Sequence, residues 1–295
     1  MTPDFGRVLT AMISPFTTDD ELDVEGAKTL AKWLVEQGNE GLVIAGTTGE
    51  SPTLTHEEQI NLIAAVVEEV DVPVIAGAGS NDTKTAVELT ERCTEVGASG
   101  ILTVTPYYNR PSQQGLLEHF SAIAKSTNLP VMLYDIPARS GRKIDTSTIL
   151  QLADEVENIV ALKDASGDVA ETARLIAAAP EGFEVYSGED SLTLSLLSVG
   201  AVGTVSVASH WSTPETSEMI KSFFAGDFLR AAETNHRLIP SYDFESGDLT
   251  PNPVPTKAMM KILNLPGGNC RLPMGPEPEW LAEKARGVLS GLGRS

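Results

Sequence analysis

The chain has 295 residues, 41% hydrophobic and 21% charged, with a formal net charge of −20. That composition supports one sizeable buried core. The charge argues against a nucleic-acid partner and against anionic membrane surfaces, whose phosphates it would repel. It leaves open a small anionic substrate, because local groups can override the global sign.

The opening MTPDFGRVLT carries no apolar h-region, so no secretory signal is expected. No run of about 18 apolar residues marks a membrane span. Cys93 and Cys270 lie far apart and make no metal or redox spacing, so both read as reduced thiols of a cytoplasmic protein.

Short Val/Ile/Leu-rich runs alternate with amphipathic stretches. The first strand is expected over Val8–Ile13 and the first helix over Val24–Gln37, with Gly38 as its stop. Strand two, Gly41–Ala45, precedes a helix opening at Thr55, where Thr55 and Glu58 fit a capping box. Strand three is Val74–Ala76, and its helix runs from Asp82 to Gly97. Strand four is Ile101–Val104, followed by a helix from Ser112 to Ser126. Strand five is Val131–Tyr134, with a helix opening at Asp145. Strand six is Ile159–Lys163, with a helix over Asp168–Ala179. Strand seven, Glu184–Ser187, leads to a helix over Asp190–Gly200. Strand eight, Thr204–Val207, leads to a helix starting at Pro214 and ending at Gly226.

Eight strand–helix units in about 225 residues suit an α/β fold of the closed (β/α)8 TIM barrel type. An open doubly wound sheet is the alternative, but after Gly77 and Gly79 the third glycine of its phosphate fingerprint is replaced by Asp82. Beyond residue 226 the pattern changes. Asp227–Ile239, Thr256–Leu263 and Glu279–Leu292 read as helices separated by PNPVP and RLPMGPEP. The expected division is a catalytic barrel over 1–226 and a small C-terminal helical domain over 227–295.

The active site of such a barrel lies at the C-terminal strand ends. Strand six ends on Lys163, in NIVALKDASG. Lysine is almost never fully buried without a partner. Burial lowers its pKa, and a neutral amine condenses with carbonyls. The bland alternative, more common for a lysine taken alone, is a strand-end side chain snorkelling to water. If Lys163 points inward, Asp164 points outward by the period of two and is not its counter-ion.

After strand two comes GTTGES, where glycines and successive N–H groups with the Thr47 and Thr48 hydroxyls can hold a carboxylate. A plain turn into the Thr55 cap is the alternative. After strand four, Tyr107 and Tyr108 point opposite ways, so one can face its own barrel while the other reaches elsewhere. Tyr134 can relay protons or simply cap the barrel. Arg139 can fork onto a carboxylate or stand as a solvated loop charge. Glu189 and Asp190 can start a helix, and strand eight, with Val205, reads as barrel packing. His56-Glu57 lacks the closing histidine of a zinc helix, since Ile60 stands there. His119, His210 and His236 have no ligand spacing, and no metal or nucleotide cofactor is supported.

Taken together, GTTGES, VTPYYNRP, LYDIPARSG, ALKDASG, YSGED, GTVSV, PNPVP and RLPM resemble, in order and over nearly the whole chain, the dihydrodipicolinate synthase family. These are pyruvate-dependent class I aldolases, related to the N-acetylneuraminate lyases. The resemblance implies that Lys163 forms a Schiff base with pyruvate and that Tyr134 moves protons. It implies that Thr47 bridges Tyr134 to Tyr108, the latter supplied by a neighbouring subunit. Thr48 would bind the pyruvate carboxylate, and Arg139 that of L-aspartate 4-semialdehyde. Gly188 and Val205 would lie beside the Schiff base through their backbones.

The implied reaction gives 4-hydroxy-tetrahydrodipicolinate in the diaminopimelate route to lysine, without a cofactor, in a cytoplasmic homo-oligomer, commonly a tetramer. Arg139 and the Thr47-Thr48 pair favour this over a lyase of 2-keto-3-deoxy sugar acids or sialic acids. A noncatalytic ligand-binding barrel is the reading from another class.

Lysine-inhibited members carry an effector pocket that Ser51, His56, Asn81 and Tyr107 match. Gln59 and Thr85 stand where those members have a histidine and a glutamate, so lysine feedback is expected to be weak or absent.

Overall fold

The computed structural model describes residues 5–294. Eight parallel strands close in chain order into a barrel. They are β1 (Val8–Ala11), β2 (Gly41–Ile44), β3 (Val74–Gly77), β4 (Gly100–Val104), β5 (Val131–Asp135), β6 (Ile159–Asp164), β7 (Glu184–Ser187) and β8 (Gly203–Ser206). Closure is made by β1, which pairs with both β2 and β8.

Strands buried on both faces read as continuous apolar runs, and the two faces fill different cores. Leu9, Val43, Ile75, Leu102, Met132 and Ala161 fill the interior, together with Tyr134, Tyr186 and Val205. The alternate residues, such as Val8, Leu42, Leu133 and Leu162, pack outward against the helices.

Local chemistry starts the crossover helices where the sequence places them. Thr55 Oγ1 accepts from the Glu58 N–H (3.2 Å), and a Glu58 carboxylate oxygen accepts from the Thr55 N–H (2.8 Å), closing the capping box. Asp82, Ser112 and Asp168 cap the helices that follow them by accepting from the N–H three residues on, without the reciprocal bond.

Four elements depart from the sequence expectation. Strand one stops at Ala11, because the Ile13 N–H turns away to the His210 Nε2 (3.1 Å). The His210 Nδ1 bonds the Val207 carbonyl (2.8 Å), so this histidine is a satisfied core residue. Its burial pushes the imidazole pKa down to about 4. A short helix, Pro137–Ser140, interrupts the loop after β5. The helix expected to open at Pro214 spans Ser209–Phe224, with non-helical backbone at Ser212 just before the proline. Helix Phe228–Glu245 runs through Pro240 instead of ending at Ile239. Its last turn is held because Ser241, Tyr242, Phe244 and Glu245 are buried and the Trp211 indole N–H donates to the Ser241 hydroxyl (3.0 Å).

The remaining C-terminal helices are Val254–Ile262 and Leu281–Gly291. No helix among the described residues is long and apolar enough to cross a membrane.

Candidate active site

Lys163 is the penultimate residue of β6. Its register partners are Tyr134 on β5 and Tyr186 on β7, so three side chains enter the barrel from adjacent strands. Lys163 is 5% exposed, and its Nζ lies 4.4 Å from the centre of the Tyr134 ring. It therefore does not snorkel. Burial pulls the amine pKa down to about 8, against the opposing fields of Asp190, Glu189 and Glu245, with Arg139 adding to the depression.

Asp164 points the other way, as the strand period requires. It accepts from the Ser166 N–H (2.8 Å) and from the Thr172 hydroxyl, in the layer between strand and helix. Asp135, its register partner on β5, also faces outward and accepts from the Ile144 N–H (3.1 Å). Burial pushes the Asp135 carboxyl up to about 6. Neither carboxylate is a counter-ion to the lysine.

The β2 loop approaches from the opposite side of the barrel mouth. Ala45 and Glu50 take positive φ (57° and 52°) and turn the chain tightly around Thr47 and Thr48. Burial pushes the Tyr134 hydroxyl pKa up to about 12, and the neighbouring Thr47 side chain works against that rise. Thr48 is buried, and its Oγ1 accepts from the Asn252 Nδ2 (2.9 Å). Arg139, exposed on the short 137–140 helix, donates to the Asn252 carbonyl oxygen (3.3 Å). Asn252 thus joins two residues picked out in the sequence. The PNPVP string that contains it gave no hint of this role.

Glu50 fixes the far end of the same loop. One carboxylate oxygen lies 2.6 Å from the buried Lys257 Nζ, and the other accepts from the Arg271 N–H (2.9 Å). Both proline-rich tail segments therefore grip the loop that carries the two threonines.

A cavity of about 300 Å³ opens over this arrangement, walled by Thr47, Val104, Tyr107, Ile136, Arg139 and Asn252 among others. That volume suits a small ligand. Lys163 is not part of its wall; Thr47, a neighbour of Tyr134, is. Val205 lies on the inner face of β8, in the interior cluster with Tyr134 and Tyr186. Gly188 follows β7 and packs against the Lys163 stem, and its N–H donates to the Asp164 carbonyl (2.7 Å).

The two loop tyrosines do part company. Tyr107 is half-buried at the cavity wall, whereas Tyr108 takes φ +74° and is 91% exposed. Within one chain the structure does not bring Tyr108 to Thr47 or Tyr134.

Asp190 and Glu245 are the acidic groups that sequence reasoning missed. Asp190 looked like a helix starter, and Glu245 lies beyond the proline taken as a helix end.

The dihydrodipicolinate synthetase family model matches residues 4–290. The 4-hydroxy-tetrahydrodipicolinate synthase of Moorella thermoacetica is 47% identical over 98% of this chain and 99% of its own length. The enzyme of that name from Bacillus subtilis is 46% identical over 94% and 95%. Among solved structures, a dihydrodipicolinate synthase of Bacillus anthracis superposes with a TM-score of 0.94 at 44% identity, covering 98% of this chain and 99% of that one. The enzyme from Cyanidioschyzon merolae with lysine bound gives 0.95 at 41% identity, covering 99% of each.

Proposed function

The chain belongs to the dihydrodipicolinate synthetase family, and from that premise we propose how its residues carry the reaction. The enzyme condenses pyruvate with L-aspartate 4-semialdehyde to give 4-hydroxy-tetrahydrodipicolinate. The observation that carries the residue assignment is the buried Lys163 amine beside the Tyr134 ring.

A free lysine of pKa near 10.4 is about 1 part in 2,500 neutral at pH 7. With its pKa lowered to about 8, roughly one Lys163 in ten is an amine at that pH. The Nζ attacks the pyruvate ketone, water leaves, and an imine forms. As an electron sink, the imine lets the pyruvate methyl group lose a proton, giving an enamine. The enamine carbon attacks the semialdehyde carbonyl. The semialdehyde's own amine then closes on the imine carbon and expels Lys163.

Tyr134 moves the protons, with Thr47 as its neighbour in the relay. Thr48 and the N–H groups of its loop hold the pyruvate carboxylate. Arg139 at the cavity mouth takes the semialdehyde carboxylate. Gly188 and Val205 keep the walls of the imine site close. No cofactor enters these steps.

Tyr108 completes the relay from a second copy of the chain, a role its exposure supports. The working form is accordingly a homo-oligomer, a dimer or tetramer, in the cytoplasm. The division into a barrel over 1–226 and a helical domain over 227–295 belongs to the same reading.

Lysine feedback is weak or absent. The Gln59 amide is committed to the Gly77 carbonyl (2.5 Å), and Thr85 to Asp82 through its N–H (2.8 Å) and hydroxyl (2.6 Å). Neither offers an anion to an ammonium group. Such a charge-assisted contact is worth about 1.5–3 kcal/mol, and inhibition at submillimolar lysine would overturn this point.

The deciding experiment is borohydride reduction in the presence of pyruvate. A reduced pyruvate adduct on Lys163, absent in Lys163→Ala, is expected. A wild-type protein without adduct would leave only ligand binding. Turnover of aspartate semialdehyde against sugar aldehydes then separates the synthase from a sugar-acid lyase.

A further inference from the structure

The start of the helix Val254–Ile262 holds the GTTGES loop at two points. Just before the helix, the Asn252 Nδ2 donates to the Thr48 hydroxyl (2.9 Å). One turn into it, the Lys257 Nζ lies 2.6 Å from a Glu50 carboxylate oxygen, with both side chains 1% exposed. The two grips fall on Thr48 and Glu50, with only Gly49 between them.

The loop needs such grips because its backbone is strained at both ends. Ala45 and Glu50 take positive φ, a region that side-chain-bearing residues rarely adopt. Strain of this kind persists only where the surroundings over-determine it. Between the two, the Ser14 hydroxyl donates to the Gly49 carbonyl (2.6 Å), and the Glu50 N–H donates to the Thr47 carbonyl (3.1 Å). At Glu50 the tie is the side chain, with Lys257 on one oxygen and the Arg271 N–H on the other (2.9 Å).

Lys257 is itself fixed. Its Nζ donates to the Asn269 carbonyl oxygen (2.9 Å) and stands 4.0 Å from the centre of the Phe16 ring. An ion pair buried this deeply adds little net stability over apolar side chains of the same size. What it fixes is register, because a buried charge parts from its counter-ion only at a large penalty. With Lys257 on Glu50, Asn252 is set on Thr48. Glu50 reaches the cavity wall, whereas Lys257 stays behind it.

We propose that the Lys257–Glu50 ion pair is a positioning device for pyruvate. It locks the GTTGES loop so that Thr48 and the loop N–H groups converge on the carboxylate, and Lys257 thereby sets pyruvate affinity without touching the substrate. This rests on the reading of that loop as the carboxylate cradle.

The test reads the pyruvate concentration that half-saturates the initial rate of borohydride trapping on Lys163. That concentration does not depend on how much of a preparation is folded, so a loss of stability alone leaves it unmoved. The double variant Glu50→Gln/Lys257→Met removes both charges at nearly constant volume. Its half-saturating pyruvate should rise about tenfold, the size of one weak charge-assisted hydrogen bond. The trapping rate at saturating pyruvate should change by less than about threefold, the pattern of lost binding with the chemical step retained. Glu50→Gln alone, which keeps an acceptor for the Arg271 N–H, should move the same way. Thr48→Val is the control on the cradle and should raise the same concentration directly.

A double variant with the wild-type half-saturation, whatever its melting temperature, would make the pair a stabilising contact only and overturn the inference. A fall confined to the saturating rate would do the same. Should the double variant not fold, Glu50→Gln alone decides on the same criterion. If Thr48→Val raises the concentration and the pair variants do not, this inference fails alone. If Thr48→Val has no effect, the cradle reading fails and takes this inference with it. A wild-type protein without adduct would withdraw the Schiff-base reading and, with it, the role of the pair.

Discussion

Gly188 and Lys163 occupy each other's space: a Cβ on Gly188 would stand 2.9 Å from the Lys163 Cγ. The same Cβ would meet the Ala165 Cβ and the Asp164 carbonyl oxygen at 3.1 Å. The glycine is needed there for close approach, since its φ is not in the left-handed region. Gly188→Ala is therefore expected to push the lysine stem off its line toward the substrate. A displacement of ~1 Å can cost about 100-fold in rate. Adduct formation in Gly188→Ala should fall by about 10- to 100-fold with the fold retained, and a wild-type trapping rate would show that the lysine does not depend on this contact.

Asn252 ties Thr48 to the Arg139 side of the cavity. Removing its side chain in Asn252→Ala leaves the buried Thr48 hydroxyl without that donor. A lost hydrogen bond of about 0.5–1.5 kcal/mol corresponds to roughly 2- to 12-fold in binding. The expected signature is a raised KM for pyruvate with kcat changed less. An effect confined to kcat in steady-state kinetics would place Asn252 outside the carboxylate cradle.

Tyr108 is the one residue of the proposed relay that its own chain leaves in solvent. Lys163→Ala and Tyr108→Phe chains are each expected to form poorly active homo-oligomers. Co-expressed and purified as mixed oligomers, they should regain a share of activity, because a Lys163→Ala subunit can lend its Tyr108 to the intact lysine next door. Mixed oligomers no more active than their parents would mean that the tyrosine is not exchanged across a subunit contact.

The RLPM segment should show in acid stability. Arg271 donates to both carboxylate oxygens of Glu58, at 2.6 and 3.0 Å, and its hydrogen bond is the largest cause holding the Glu58 pKa down at about 2. A carboxylate depressed in the folded state stabilises it fully above its unfolded pKa, and that stability is lost as pH falls through the folded value. Arg271→Ala should cost about 2 kcal/mol at neutral pH, with the gap to wild type narrowing from about pH 4.5 toward pH 2. Urea denaturation curves across that range would check it. A gap independent of pH would assign the loss to the packing of Arg271 on the Phe16 ring instead.

The barrel was legible in the sequence because its signals are local. Strands buried on both faces must be short apolar runs. Caps such as Thr55 with Glu58 act over one turn, and parallel strands force a helix between them. Lys163 at the end of such a run, with Asp164 turned outward, followed from the same alternation. Proline punctuation was less dependable: Pro214 and Pro240 both lie inside helices, since buried neighbours outweigh one missing backbone donor.

What the chain order could not specify is contact across it. Asn252 meets Thr48 across 204 residues. Helix 228–245 meets the turn at Asp190–Leu192 only because the tail docks over the strand-seven end of the barrel. The residue types that can do the chemistry were thus set by the sequence itself. The amine's surroundings, a buried strand end beside the Tyr134 ring, were decided by the closing of the barrel. Burial and charge depend on distance in space, and separation along the chain does not fix that distance.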